Sequence, residues 1–207
     1  MFVTHQSILA RMPDSLDRPS ESKRIPRVAF QGAPGAFSEL AIRHHWAADA
    51  TTLPSETFEG ALLHVVSHEA DFAVLPIENA IAGKVHVAIN ALDAFASRVQ
   101  QHGEIRVPIH LCLMAPLGAT LAELRTVRSH AVALAQCRIF FARHGWLEPQ
   151  PHADTAGAAR DVAQLGDRTV GAVAAEAAAR RYGLDIIAQA IEDVPANWTR
   201  FVIVGSL

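Results

Sequence analysis

Cysteine is scarce in this sequence of 207 residues. The two that occur, Cys112 and Cys137, have neither metal-ligand nor redox spacing, so we predict two small buried hydrophobic residues. Histidine is more frequent, with 11 residues. His64 and His68 have the i, i+4 spacing that places two ligands on one helix face, but no glutamate completes an HExxH motif and no third ligand is placed. The sequence therefore predicts no metal site.

Charge of one sign and long apolar runs are also lacking. Lys and Arg number 18 against 21 Asp and Glu, and no basic cluster occurs, which argues against nucleic-acid binding and favours a small-molecule partner. No apolar run approaches the roughly 20 residues that cross a bilayer, and the first residues lack the apolar segment of a secretory signal. We therefore expect a cytoplasmic protein that binds no membrane, with residues 1–24 as a disordered tail.

Hydrophobic residues make up 50% of the chain, which is enough for a sizeable core. From Arg27 onward, short β-branched or apolar runs alternate with longer Ala-rich stretches, a pattern typical of an α/β fold. Strands are predicted at 27–32, 71–78, 105–115, 169–175, 185–193 and 201–206. Helices are predicted to begin near Ser38, Thr57, His86, Ser129, Thr155 and Glu176.

The predicted strand 105–115 is unusually long and contains Pro108, which favours an edge position or a crossing between two lobes. Such a crossing divides the folded chain, residues 25–207, into a first lobe at about 25–105 and a second at about 106–190. The last strands, 191–207, then return across the gap. Clefts between α/β lobes, at the carboxyl ends of strands, are where small ligands bind.

Polar residues or glycine occupy four junctions between a strand and a helix. Since a helix N-terminus exposes backbone N–H groups, such junctions suit an anion, and their strands should end at the same edge. Each junction alone is more typical of an ordinary cap or turn. The junction residues are Gly32, Gly35 and Ser38; Glu78, Asn79 and Gly83; Ser129, with Gln136 seven residues later; and Asp154 with Thr155.

The segment "NWTRF", residues 197–201, is by itself typical of a turn before an edge strand. Together with "GAPGAFSE", "PIENAIAGKV", "SHAVALAQC", "DTAGAA" and "AAEAAARRYGLDIIAQAIED", in this order, it resembles the catalytic domain of prephenate dehydratases over residues 27–205. The resemblance implies two α/β lobes similar to the type II periplasmic-binding-protein fold, with the active site between them. It also implies conversion of prephenate to phenylpyruvate, with loss of water and carbon dioxide, in phenylalanine biosynthesis. We expect a homodimer or higher homo-oligomer.

The resemblance assigns the family's essential threonine to Thr199, which could donate a hydrogen bond or proton to the departing hydroxyl. Arg200 and the helix starts near Ser129 or Thr155 are candidates to hold the pyruvyl carboxylate. Phe201 could form an apolar wall, with a core-only role as the alternative. The reaction creates an aromatic ring and is strongly downhill, so no cofactor is expected. The predicted substrate-binding set is Ser38, Asn79, Gly83, Ser129, Gln136, Thr155, Asn197, Arg200 and Phe201, of which Asn79, Gln136 and Asn197 are expected to orient the site.

Two departures from the family pattern are visible. Ala80 follows PIEN where members usually have Ser or Thr, so one hydroxyl contact is missing. The sequence stops at Leu207 without the usual regulatory domain, and we expect no response to phenylalanine through it. Three alternatives stay open: arogenate as substrate, a prephenate decarboxylase that keeps the hydroxyl, and a ligand-binding module without catalysis. The intact NWTRF favours dehydration over the last two.

Overall fold

The computed structural model describes residues 24–47 and 49–207; the tail predicted at residues 1–24 lies, apart from Arg24, outside the described residues. The elements in chain order are β1 (Arg27–Gln31), α1 (Phe37–Trp46), β2 (Thr51–Ser55), α2 (Phe58–Val66), β3 (Phe72–Asn79), β4 (Gly83–Lys84), α3 (His86–Phe95), β5 (Val99–Pro108), β6 (Cys112–Pro116), β7 (Thr126–His130), α4 (Ala131–Ala135), α5 (Arg138–Arg143), β8 (Glu148–His152), α6 (Thr155–Leu165), β9 (Val170–Ala174), α7 (Glu176–Tyr182), β10 (Leu184–Ala188) and β11 (Trp198–Ser206).

These strands form two sheets, and the predicted α/β fold class is confirmed. The first sheet has the order β2-β1-β3-β11-β5, with β4 added to the end of β3. The second has the order β10-β6-β9-β7-β8. Strands β1, β2 and β3 run parallel, whereas β11 runs antiparallel to both of its neighbours. The last strand of the chain therefore lies inside the first sheet, between β3 and β5, which come much earlier in the sequence.

The single strand predicted at 105–115 is wrong, because the structure has two strands there in different sheets. β5 ends at Pro108 on the edge of the first sheet, and β6 begins at Cys112 in the second. Proline has no N–H for a central ladder, which explains why the strand stops where the chain crosses over. The return crossing, between β10 and β11, lies alongside: Ile109 N donates to Asn197 O at 3.0 Å, and Ile191 N to Leu111 O at 3.0 Å.

One hydrophobic cluster joins the two sheets. It packs Phe30 and Val74 of the first sheet with Met114 and Ala172 of the second, all fully buried. Because burial of apolar surface is the main stabilising term of folding, this shared core holds the halves together. The other two clusters each line the outer layer of one sheet.

The turn between β1 and α1 is attached to the other half of the molecule. Gly35 has φ of 93°, and a Cβ there would lie 3.0 Å from the Cα of Ala178 in α7, so glycine allows the close approach. The hydroxyl of Tyr182 donates to the carbonyl of Pro34 at 2.7 Å. Glu39 Oε2 accepts from the Gly35 N–H at 2.7 Å. The start of α1 is thereby fixed beside the second sheet.

No helix among the described residues reaches the length of a membrane span. The longest, α6, has 11 residues, whereas about 20 are required.

Candidate active site

A cavity of about 590 Å³ is lined by residues of both sheets and by Ile109 and Leu111 of the crossing from β5 to β6. Its apolar lining includes Phe37, Phe58, Leu111 and Phe201. A volume in the range of 300–1,000 Å³ with an apolar lining and a few polar groups is typical of small-molecule sites.

Five of the described helices begin at this cavity: α1, α2 with Phe58, α3, α4 and α6. Ser38 marks the first turn of α1, His86 the start of α3, His130 the residue before α4, and Thr155 the start of α6. The N-caps of α1 and α3 make no side-chain hydrogen bond, so the first N–H groups of these helices have no capping side chain. Such N-termini favour negative charge. Of the six helix starts predicted from the sequence, five lie close to this cavity, whereas the start at Glu176 does not line it.

Thr199 is one of the polar residues that line the cavity. It lies in β11 directly opposite Asn79 of β3, and only 8% of its surface is exposed. Its Oγ accepts from Asn79 Nδ2 at 3.0 Å; this nitrogen also lies 2.9 Å from Asn197 Oδ1 and 3.0 Å from Trp198 O, so its two protons are shared among three acceptors. Within residues 24–47 and 49–207, no acceptor takes the threonine's own proton. The hydroxyl is therefore held by one bond while its proton is available to a bound molecule.

Three side-chain amides form a closed ring beside Thr199. Asn79 Nδ2 donates to Asn197 Oδ1 at 2.9 Å, Asn197 Nδ2 to Gln136 Oε1 at 3.1 Å, and Gln136 Nε2 to Asn79 Oδ1 at 3.1 Å. The members come from the first sheet, from the end of α4 and from the return crossing. Every amide donates once and accepts once within the ring, so no buried polar group is left unpaired there.

The orientation of the ring is set by the backbone after Asn79. Its Oδ1 also accepts from the N–H groups of Ile81 at 3.1 Å and Ala82 at 2.9 Å. Two backbone donors can face only the oxygen end of the amide, so the nitrogen end must face Thr199. An asparagine that bonds the backbone two residues later forms a common tight turn. The turn thus directs Asn79 Nδ2 toward Thr199, so that the threonine oxygen accepts from Asn79 and its O–H can donate to a molecule in the cavity.

A β-bulge shapes the same place. Thr199 pairs with Asn79 and Arg200 with Glu78, but Phe201 pairs with Pro76, so Ile77 is an extra residue in β3. Side chains normally alternate between faces, and the extra residue shifts that alternation by one. As a result Pro76 and Asn79, three positions apart, both line the cavity.

Comparison with known proteins fits this geometry. The sequence model of the prephenate dehydratase family matches residues 28–207. The chain belongs to the prephenate dehydratase family. This confirms the resemblance seen in the motifs.

Relatives and a solved structure extend the comparison. Arogenate dehydratase 1 of Petunia hybrida is 40% identical over 180 residues, which cover 86% of this chain and 42% of that protein. A bifunctional N-acyl-homoserine lactone acylase/prephenate dehydratase of Komagataeibacter europaeus is 38% identical over 182 residues, covering 85% and 61%. The crystal structure of prephenate dehydratase in complex with L-Phe from Arthrobacter aurescens has a TM-score of 0.78 at 33% identity, covering 87% of this chain and 60% of that one. The chain spans about half the length of the curated relatives it matches.

Several residues predicted from the family motifs line the cavity. They come from the β1–α1 turn, the end of β3, the hairpin after it, and the starts or ends of three further elements. These are Ser38, Asn79, Gly83, Gln136, Thr155, Thr199 and Phe201. Phe201 is also 1% exposed and belongs to the core that joins the sheets; its role as an apolar wall toward substrate stays a prediction.

Arg200 is not where the sequence prediction requires it. Its guanidinium bonds Glu78 Oε2 from Nε at 3.1 Å and from Nη2 at 2.8 Å, and Glu104 Oε1 from Nη1 at 2.9 Å. The hydrogen bonds to Glu78 raise the pKa of Arg200 most, and the hydrogen bond to Glu104 raises it next most. Neighbours in a strand face opposite sides, and since Thr199 faces the cavity, Arg200 faces away. The prediction that Arg200 holds a substrate carboxylate is therefore corrected: in this structure Arg200 bonds two glutamates outside the cavity.

Two further predicted contacts are absent from the cavity surface. Ser129 lies in β7, fully buried, and its hydroxyl donates to Val173 O at 2.6 Å, so it caps no helix; His130 occupies that place. Asn197 is 2% exposed and reaches the site through the amide ring rather than by lining the cavity. Ala80, the departure from the family pattern, is exposed and also outside the lining.

Three basic residues of the lining were missed: Lys84, His86 and His130. Among the described residues, Lys84 is the one Lys or Arg of the lining, and it makes no hydrogen bond or ion pair there. Its signal was its place directly after Gly83 in the "PIENAIAGKV" segment. His130 follows Ser129 in the "SH" pair. The family motifs predicted their neighbours, Gly83 and Ser129, as site residues instead.

The part of the chain that the structure describes contains no group of three His, Cys, Asp or Glu side chains that could hold a metal ion. His64 bonds Glu69 at 2.5 Å, and His68 lies beyond the end of α2 with φ of 61°, so the two histidines do not share a helix face. Both cysteines are buried, as expected. Burial raises the pKa of Cys112 and raises that of Cys137 to about 12.

Proposed function

We propose that this chain is a carbon–oxygen lyase that converts prephenate to phenylpyruvate, carbon dioxide and water. The observation that carries the proposal is the Thr199 hydroxyl, held by Asn79 as an acceptor and free to donate into a cavity of suitable size. Membership of the prephenate dehydratase family supports it.

The chemistry requires one donor and a dry surface. The bond between the ring and its carboxylate breaks, its electron pair enters the ring, and the C–O bond to the C4 hydroxyl breaks. The leaving oxygen takes up one proton and departs as water, so one proton is consumed for each carbon dioxide released. Thr199 donates its proton to that oxygen. Because an aliphatic hydroxyl is a weak acid, the alkoxide left behind is a strong base and takes up a proton from solvent. A positioned proton donor contributes about 10²- to 10⁴-fold to rate.

The substrate's two carboxylates need opposite environments. With Arg200 facing away, Lys84 and the N-termini of α1 and α3 supply the positive potential for the side-chain carboxylate. The ring carboxylate must leave as neutral carbon dioxide, which an apolar surface such as that of Phe201 and Leu111 favours over a charged one.

A second substrate is favoured by one side chain. Asp154 is the one acidic residue among the described residues of the lining; its Oδ1 accepts from the Gly157 N–H at 2.6 Å. A carboxylate in the cavity attracts the ammonium group that arogenate carries where prephenate has an oxo group. Several relatives are named arogenate dehydratases. Arogenate is therefore the second candidate.

The test is product identification by NMR with prephenate and arogenate in separate reactions. We expect an aromatic product from the wild type, a kcat lower by about 10²- to 10⁴-fold in Thr199→Val, and retained activity in Thr199→Ser, which keeps the donor. A non-aromatic dihydro product would indicate decarboxylation without dehydration. Equal rates in wild type and Thr199→Val would remove Thr199 from this role.

The remaining expectations belong to the same proposal. The two sheets support the division at about 25–105, 106–190 and 191–207, since the strands of 27–108 and 198–206 form one sheet and those of 112–188 the other. We keep a role in phenylalanine biosynthesis, a cytoplasmic location and a homodimer or higher homo-oligomer as proposals. Light scattering after size-exclusion chromatography tests the last of these.

A further inference from the structure

An ion-pair ladder crosses three strands on the face of the first sheet that is opposite the cavity. Arg200 of β11 stands in its centre and bonds Glu78 of β3 on one side and Glu104 of β5 on the other. Three donor atoms of the guanidinium are used, at 2.8 to 3.1 Å. Planar guanidinium groups fix such geometry better than the single charge of lysine.

The ladder is adjacent to the proposed proton donor in both strands. Arg200 follows Thr199 directly, and Glu78 precedes Asn79 directly. Both pairs adjoin the bulge at Ile77: Thr199 and Arg200 precede the register change in β11, whereas Glu78 and Asn79 follow Ile77 in β3. Bulges interrupt the backbone ladder, so the strands depend here on side-chain contacts for their alignment. The hydrogen bond from Asn79 to Thr199 is set by that alignment.

The ladder also engages the hydrogen-bond donors of Arg200 on the face away from the cavity. One guanidinium bonds two carboxylates, and Arg106, its direct partner in β5, brings a second positive charge to the same face. Arg200 is 31% exposed and Glu104 is 44% exposed in their side chains, on the surface rather than in the cavity. A role in substrate binding would require breaking both ion pairs.

We propose that Arg200 is a positioning residue, which acts through Glu78 and Glu104 to hold Thr199 and Asn79 in register across the bulge. This inference rests on the proposed function of Thr199 for its kinetic consequence. Misplacement of a reacting group by about 1 Å can cost about 10²-fold in rate. Loss of the ladder should therefore lower kcat by about 10- to 100-fold in Arg200→Gln and leave KM within about threefold.

Glu104→Gln separates positioning from binding, because Glu104 does not line the cavity. If Arg200 positions the strand, the loss of this partner lowers kcat severalfold at constant KM. If Arg200 instead binds a substrate carboxylate, removing a competing carboxylate lowers KM or leaves both constants unchanged. Arg200→Lys keeps the charge but cannot bridge both glutamates, and we expect it to fall between wild type and Arg200→Gln.

Arg168→Gln is the matched control, since Arg168 also bonds a glutamate, Glu123 at 3.0 Å, but on the second half of the molecule. We expect its kcat and KM to equal those of the wild type. A tenfold or larger rise in KM at unchanged kcat for Arg200→Gln would overturn the proposal, as would wild-type constants in both Arg200→Gln and Glu104→Gln.

A measurement independent of activity keeps this inference separate from the proposed function. We expect backbone amide exchange in β11 to be faster in Arg200→Gln and Glu104→Gln than in wild type, and unchanged in Arg168→Gln. Unchanged exchange in β11 would refute the ladder's structural role even if the enzyme proved active. A wild type that forms no phenylpyruvate from prephenate would refute the proposed function. Faster exchange in β11 of the variants would still support the structural role of the ladder.

Discussion

Substitution of Asn197 by Asp tests the amide ring with the smallest possible change of shape. Asn197 is 2% exposed, accepts from Asn79 at 2.9 Å and donates to Gln136 at 3.1 Å. Asn197→Asp keeps the acceptor, removes the donor and introduces a titratable group. Among the described residues, no Lys or Arg bonds the ring, so the new charge lacks a cationic partner.

The expected loss of stability has two parts. Gln136 Oε1 loses its donor, and an unpaired buried acceptor costs about 1 to 3 kcal/mol. Burial also raises the pKa of the introduced carboxyl above its unfolded value of about 3.9, and each unit corresponds to about 1.4 kcal/mol. The bond from Asn79 offsets part of this second cost. We expect Asn197→Asp to lower the free energy of unfolding by about 2 to 4 kcal/mol at pH 8.

Both parts depend on pH. Well below its unfolded pKa the carboxyl is uncharged in both states, and its O–H can then donate to Gln136 Oε1 in place of the lost N–H, so the loss of stability is smallest there. As pH rises above the unfolded pKa, the unfolded state ionises first, and the penalty grows until pH exceeds the folded pKa. The difference between Asn197→Asp and wild type should therefore be larger at pH 8 than at pH 4.

Urea unfolding at pH 4 and pH 8 measures the difference. Asn90→Asp provides the matched control: Asn90 is exposed on α3, and its substitution should change stability by less than about 0.5 kcal/mol at either pH. An Asn197→Asp variant as stable as Asn90→Asp at pH 8 would show that the ring is not closed in solution. A pH-independent loss would show that the carboxyl is reached by water.

Two other predictions concern the cavity and the thiols. Lys84→Met should raise KM for prephenate about tenfold, as expected for a lost charge-assisted bond, whereas Lys84→Arg should stay within about threefold of wild type; equal KM in both variants would exclude Lys84 from carboxylate binding. With the pKa of Cys137 raised to about 12 and that of Cys112 also raised, native protein at pH 8 should react with iodoacetamide at least about 100-fold more slowly than urea-unfolded protein, and equal labelling would contradict their burial.

The sequence predicts most interior strands but misses β7, which lies between β9 and β8 and whose end was predicted as a helix start. The apolar runs that became β1, β3, β9 and β11 are recognisable because these strands are buried within a sheet. The edge strands β2 and β8 were missed, because "TTLPS" and "EPQPH" contain proline and little apolar surface. Proline is compatible with an edge, where one side of the strand needs no partner, but it weakens the sequence signal.

The sequence predicts which residues line the cavity better than it predicts which way each side chain faces, and the binding and catalytic roles stay predictions. Thr199 lies opposite Asn79 because β11 pairs with β3, and Gln136 bonds Asn79 from the end of α4. The order of the family motifs predicted that these three residues belong to one site. The error at Arg200 has a simple physical origin: consecutive strand residues face opposite sides, so Thr199 and Arg200 could not both face the substrate. The extra residue at Ile77, by contrast, leaves no signal in the sequence, because a bulge depends on the register of the partner strand.

The placement of the amide ring ties the chemistry to the relation between the two halves of the protein. Asn79 belongs to the first sheet, Gln136 to the helical layer of the second, and Asn197 to the return crossing, which is itself bonded to the other crossing through Ile109. A shift of one half against the other must stretch at least one of three bonds of 2.9 to 3.1 Å. Because the same Asn79 amide also holds Thr199, such a shift changes the direction of the hydroxyl. In the proposed mechanism the Thr199 donor is therefore aimed at the leaving oxygen when the two halves are together, and we expect the same arrangement to exclude water from the departing carboxylate.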